Sequence, residues 1–223
     1  MTNAEISSLL NDTYGLARDN NSQNIPLRTD GTEYRIDDLA IDQKQCLAEV
    51  LHAVRQYCEG GYDNENNVLR LTVSGSAGSG KSTLINTLVT CMRRMFPEDD
   101  TISVFAPTGA AAFNAGGQTL HAGFLLPRIT NSLAVSSDKQ KELMKRYKRT
   151  LVIVIDERSM LDATILGTIK HYMQQCAHGG MNNKHPWGGI PIIILVGDDY
   201  QLPSIHPGNF YAQDPGQLKS PDN

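Results

Sequence analysis

Residues 75–82 read G-S-A-G-S-G-K-S, an order of residue types suited to binding phosphate groups. The small residues Gly75, Ala77, Gly78, Ser79 and Gly80 let the backbone curl until successive N–H groups converge on an anion. Lys81 adds a point charge for the outer phosphates. The Ser82 hydroxyl, followed by Thr83, stands where it can ligate Mg2+. A Gly/Ser-rich linker could match by chance, but it would not set Lys-Ser at this offset between an apolar strand and an apolar helix.

Two further sites fit one reaction around that loop. The apolar run 151–155 ends in Asp156-Glu157, and adjacent carboxylates at the tip of a buried strand are expensive without a cation. In a phosphate-loop enzyme the first carboxylate holds the Mg2+ shell and the second orients and deprotonates the attacking water. Capping of the helix expected from about Ser159 would account for one acid but not for both. The run 192–196 leads into G-D-D-Y-Q-L-P. There Gly197 is expected to let the chain turn sharply, and Gln201 to point a neutral amide at the γ-phosphate or the water.

The elements that position these groups alternate. Strands are expected at 68–74, 101–106, 151–155 and 192–196, read as apolar β-branched runs covered on both faces. Leu47, Val50, Leu51, Val54 and Cys58 mark one face of a helix over about 42–60. A second helix runs from the phosphate loop until Pro97 stops it, and a third begins near Ser159 with Leu161, Ile165, Ile169, Met173 and Cys176 inward. This pattern predicts an α/β fold with a mainly parallel central sheet and helices on both faces. Ligands of such sheets bind beyond the carboxyl ends of the strands, where every motif above falls.

Composition sets the bounds. The chain has 223 residues, 40% of them hydrophobic and 20% charged, enough for one good core. No run is long enough for a membrane span, and the first 20 residues lack the basic start and apolar centre of a signal peptide, so no membrane partner and an intracellular location are expected. A net charge of −4 excludes a polybasic coat for nucleic acid and leaves only local contacts. Cys46, Cys58, Cys91 and Cys176 are read as buried thiols. Residues 1–38 are read as a loosely ordered polar lead-in, 39–206 as the nucleotide-binding domain, and 207–223 as an irregular tail.

Other clusters carry bland readings. Lys139, Lys141, Lys145, Arg146, Lys148 and Arg149 read as a solvated helix face ahead of a DNA-backbone contact. His171, Cys176, His178 and His185 lack metal-ligand spacing, so no zinc is expected. Trp187 reads as a core anchor. In P-T-G-A-A-A, after the second strand, hydroxyls and N–H groups at a helix head could hold phosphates. Tight packing around small residues is the preferred reading of that segment taken alone.

Six segments together resemble the PIF family of 5′-to-3′ DNA helicases of superfamily 1 and its relatives in Helitron transposons. They are L-A-I-D-Q (39–43), G-S-A-G-S-G-K-S-T (75–83), A-P-T-G-A-A-A-F-N-A-G-G-Q-T-L-H (106–121), I-D-E-R-S-M-L (155–161), P-W-G-G-I (186–190) and G-D-D-Y-Q-L-P-S (197–204). The resemblance implies a RecA-like ATPase fold with ATP and Mg2+ as cofactors and Lys81, Asp156, Glu157 and Gln201 at the chemistry. It implies Ser82 and Asp156 on the metal, Gln43 on the adenine edge, and single-stranded DNA at Thr108, Gly109, Thr119 and His121. It also implies a second RecA-like domain as partner, carrying an arginine finger, and a nuclear or mitochondrial location for a cellular helicase of this type. Only residues 202–223 follow Gln201, without an arginine, so the chain is expected to be the first motor domain. Arg158 stands where the family is usually apolar, which is expected to send an extra charge toward DNA or solvent. Asp199-Tyr200 replaces a more aromatic pair, and Ser204 a second proline. The competing readings are a phosphate-loop kinase or non-motor ATPase, and a non-catalytic nucleotide-dependent regulatory module.

Overall fold

The computed structural model describes residues 25–60, 68–97, 100–127, 135–176 and 186–198, together with Ile6 and Ser8. Within them, α1 (Ile41–Gly60), β1 (Leu69–Ser74), α2 (Lys81–Met95), β2 (Ile102–Ala106), α3 (Gly109–Asn114), β3 (Gln118–Thr119), α4 (Leu120–Gly123), α5 (Ser137–Tyr147), β4 (Val152–Ile155), α6 (Ala163–Gln175) and β5 (Ile192–Gly197) follow in chain order. The strands form a five-stranded sheet in the order β1-β5-β4-β2-β3, and every pairing is parallel. This is the parallel α/β arrangement expected from the alternating pattern, and it fits the RecA-like fold that the resemblance implies.

The pleat divides the sheet between two cores. Val152, Val154, Ile192, Ile194 and Val196 face α1 and α2, where they meet Leu47, Leu51, Leu84, Leu88 and Met92. Ile153, Ile155 and Ile193 face the opposite way, onto Phe124, Leu143, Tyr147, Ile169, Met173 and Trp187. Successive strand residues point to opposite faces, so an unbroken apolar run is what a strand covered on both sides needs. Trp187 is buried in the second core.

Three expectations need correction. β1 is not covered on both faces: Arg70, Thr72 and Ser74 are exposed while Leu69, Leu71 and Val73 turn inward, because among the described strands only β5 pairs with it. The helix expected from Ser159 begins later. Residues Arg158–Met160 form a single 3-10 turn, and α6 starts at Ala163 after Asp162, whose side chain accepts from the Thr164 N–H at 2.8 Å. That capping bond satisfies a donor no helical carbonyl can reach, so the boundary falls there. Cys58 is exposed and Cys46 half-buried, whereas Cys91 and Cys176 are buried. Burial pushes the Cys46 and Cys176 thiols up to about 11 and Cys91 up to about 12.

The described residues 25–38 of the segment read as a loosely ordered lead-in are structured. A bridge joins Leu27 to Glu33, Arg28 pairs with Asp38 at 2.7 Å, and Glu33 pairs with Arg94 of α2. Ile6 lies in the first core. Among the described residues no helix is long and apolar enough to cross a membrane.

Candidate functional site

The phosphate loop joins β1 to α2 at the carboxyl edge of the sheet. Gly78 and Gly80 take φ of +77° and +83°, a region that residues with a Cβ enter only with strain. Gly80 is the N-cap of α2; no side chain caps the helix there, and its first turn holds no acidic residue. The positive end of a 15-residue helix therefore faces the loop uncompensated by any carboxylate of that turn, as an anion site requires. Lys81 Nζ donates to the carbonyls of Gly75 at 2.7 Å and Ser76 at 2.9 Å, which holds the ammonium inside the curve of the loop. Ser82 is exposed beside it.

Gln43 reaches the same loop from the first turn of α1. Its Nε2 donates to the Ser79 carbonyl at 2.8 Å, and its Oε1 accepts from the Ala40 N–H at 3.0 Å. Each end of the amide keeps a second valence: one N–H and one lone pair.

Asp156 and Glu157 follow β4 and lie close enough to Lys81 for its charge to act on both. Burial pushes the Asp156 carboxyl above its ordinary value, while the Glu157 N–H, 2.9 Å from Oδ1, and the Lys81 ammonium pull it back. The Glu157 carboxyl is raised first by burial and then by the neighbouring charges of Asp156 and Asp198, against Lys81. Glu157 also holds φ +54° and ψ 48°, the left-handed conformation that non-glycine residues avoid and that concentrates at functional sites. It precedes the 3-10 turn without making a side-chain cap bond, so capping does not account for Glu157. A half-buried carboxylate pair disfavoured as anions is a hard-oxygen donor set that suits Mg2+.

Asp198 is a further acid at this edge of the sheet. It is 5% exposed and stands directly after β5, as Asp156 stands directly after β4. An acid at the tip of an apolar strand was the available signal. Arg158 corrects another expectation. It is 8% exposed and points neither to solvent nor outward, because its Nη2 donates to Ser74 Oγ at 2.7 Å. Gly197 provides no sharp turn: it is the last residue of β5, and a Cβ there would lie 2.6 Å from Arg158 Cγ. Gln201, Asp199, Tyr200 and Ser204 lie outside the described residues.

The pairing of β2 with β3 sets Ala106, two residues before Thr108, opposite Thr119. Each hydroxyl accepts from a backbone N–H of the short helix it opens, Ala111 and Ala122, both at 3.2 Å. Each keeps its own hydrogen to donate. Gly109 and His121 are exposed beside them. The lysines of α5 are exposed or half-buried, and Arg146 pairs with Glu142 at 2.9 Å. His171 bonds Gln175 at 2.6 Å; His178 and His185 lie outside the described residues.

A model of the PIF1-like helicase family matches residues 38–213. The ATP-dependent DNA helicase PIF1 of Candida albicans is 37% identical over 138 residues, 60% of this chain and 14% of that protein. The fold is similar to that of Bacteroides sp Pif1 in complex with ADP-AlF4, with a TM-score of 0.53 and 27% identity over 75% of this chain and 34% of that one. It is likewise similar to Bacteroides Pif1 bound to ssDNA, with a TM-score of 0.51 and 29% identity over 75% and 34% of the two chains. The chain thus spans about a seventh of the curated relative and about a third of each solved structure.

Proposed function

The chain belongs to the PIF1-like helicase family, and on that premise we propose that it is the nucleotide-binding motor domain of an ATP-dependent DNA helicase. Residues 75–83 cradle the phosphates of ATP, with Lys81 moving from the carbonyls of Gly75 and Ser76 to the β/γ-phosphate oxygens. Mg2+, held by Ser82 and Asp156, would neutralise charge developing on the γ-phosphate. Glu157 orients the attacking water and takes its proton; its raised carboxyl is a better base than an ordinary glutamate. Gln43 reads the adenine edge with the N–H and lone pair its loop contacts leave over. Gln201 reports the γ-phosphate.

The single-stranded DNA backbone lies on Thr108, Gly109, Thr119 and His121, whose donors suit phosphate oxygens of any sequence. A second RecA-like domain closes on the nucleotide from the other side, supplies an arginine finger, and converts hydrolysis into translocation and unwinding.

The observation that carries this reading is the convergence of Lys81, Asp156 and Glu157 at one sheet edge, with Lys81 acting on both carboxyls. A phosphate-loop kinase would not need this strand-tip pair. The deciding experiment measures Mg·ATP binding by the chain. It also measures DNA-stimulated hydrolysis and strand displacement by a protein joining this domain to a second RecA-like domain. Nucleotide binding without DNA-stimulated turnover would favour a regulatory module instead.

A further inference from the structure

We propose that Arg158 is a positioning residue, one that locks the Asp156-Glu157 segment to the phosphate loop across the end of β5. The inference rests on the nucleotide-hydrolysing reading and deepens it, since nothing in that mechanism assigns Arg158 a role.

The sheet order makes the geometry specific. Arg158 follows β4, and Ser74 is the last residue of β1, directly before the loop glycine Gly75. Between those two strands lies β5, so a side chain joining them must pass over its end. Adjacent strands are about 4.8 Å apart, and two such steps demand a long side chain. Arginine has the reach, and the residue it passes is Gly197. A Cβ there would stand 2.6 Å from Arg158 Cγ and 2.9 Å from the Arg158 backbone N. Gly197 lies opposite Ser74 in register, and its carbonyl accepts the Gly75 N–H at 3.1 Å. The ends of β1, β5 and β4 are thereby joined by one guanidinium, one hydroxyl and one main-chain bond.

A guanidinium is costly to desolvate and is retained inside a protein only with good partners. Here it sits in the position next to Glu157, whose left-handed backbone persists only if its surroundings hold it. Fixing Arg158 to the residue before the loop sets the distance from the carboxylates to the phosphates and to Ser82. The Arg158 side chain is turned toward Ser74 and the end of β5. It acts through the segment it anchors.

The test uses the 223-residue chain and a fluorescent ADP analogue, titrated with and without Mg2+. The variants are Arg158→Met, Arg158→Lys and Ser74→Ala. The lock predicts that Arg158→Met keeps magnesium-free affinity within twofold but loses at least fivefold of the gain that Mg2+ brings. Arg158→Lys, which keeps a cation able to reach Ser74, recovers that gain to within threefold of the parent. Ser74→Ala loses two- to threefold. A merely structural arginine would lower affinity equally in both conditions, and that result overturns the proposal, as does an unchanged magnesium gain in Arg158→Met. Should Arg158→Met fail to fold, an unchanged gain in Ser74→Ala overturns it alone. A parent chain that binds no nucleotide, or gains nothing from Mg2+, overturns the hydrolytic reading itself, and this inference with it.

Discussion

The Gln43 amide nitrogen lies 2.8 Å from the Ser79 carbonyl oxygen, a bond that ties the first turn of α1 to the middle of the phosphate loop. An added Cβ at Gly80 would meet the same nitrogen at 2.7 Å, so the loop and the amide fit closely. The N–H and lone pair left over match the acceptor and donor on an adenine edge. Gln43→Ala is therefore expected to weaken ATP binding about tenfold, roughly 1.4 kcal/mol, while GTP binding falls about threefold or less. Parallel titrations with the two nucleotides check this. Equal losses would restrict Gln43 to holding the loop.

Lys81 places the ammonium that the loop encloses, 2.7 Å from the Gly75 carbonyl. Lys81→Ala is expected to weaken Mg·ADP and Mg·ATP at least tenfold, or roughly 1.4 kcal/mol, with little change in melting temperature. Calorimetric titration gives the affinity. Parent-like binding by the variant would remove Lys81 from the site.

Glu157→Gln keeps the shape of the side chain and removes its basicity. In a protein that also carries the second RecA-like domain, hydrolysis should fall roughly a hundredfold or more, with nucleotide affinity nearly intact. Single-turnover measurements separate the two quantities. A rate within a few-fold of the parent would assign the base elsewhere.

The raised carboxyl of Asp156 gives a pH prediction. A carboxyl whose pKa is higher folded than unfolded binds its proton better in the folded state. Its ionisation therefore lowers stability as pH rises from the ordinary value near 3.8 through the raised one. Asp156→Asn removes that charge and keeps an oxygen for the Glu157 N–H. At pH 7 without nucleotide or Mg2+ the variant should melt higher, on the order of a few degrees. The difference should shrink as pH falls toward 4, while the magnesium-dependent gain in nucleotide affinity is lost. A lower melting temperature at pH 7 would show that the ionised carboxylate stabilises the fold.

Thr108 and Thr119 cap their helices with an oxygen and keep a hydrogen to donate. Thr108→Ser should retain single-stranded DNA binding. Thr108→Ala should weaken it across all sequences and leave the salt slope of binding unchanged, because a neutral hydroxyl releases no counterion. It should also destabilise α3 by about 1 kcal/mol through the missing cap. Binding titrations at several salt concentrations, with thermal melts alongside, distinguish the two effects. An unchanged affinity in Thr108→Ala would confine Thr108 to capping.

Much of the site was legible because its signals are local. Glycines at 78 and 80 are dictated by left-handed backbone two residues apart, and the lysine and hydroxyl follow them directly. The apolar run before Asp156-Glu157 fixes a strand covered on both faces, since its alternate residues enter different cores. What remained hidden depended on residues distant in sequence. The exposed face of β1 follows from its place beside β5 alone among the described strands, although the alternation L-R-L-T-V-S hinted at it. Gln43 meets Ser79 only because α1 packs beside the loop. The inward turn of Arg158, against the outward charge expected of it, was decided by a missing side chain at Gly197 and a hydroxyl at Ser74. Spacing along the chain sets periodicity, turns and caps. Whether an arginine is buried is set by which strands become neighbours, and that choice belongs to the sheet as a whole.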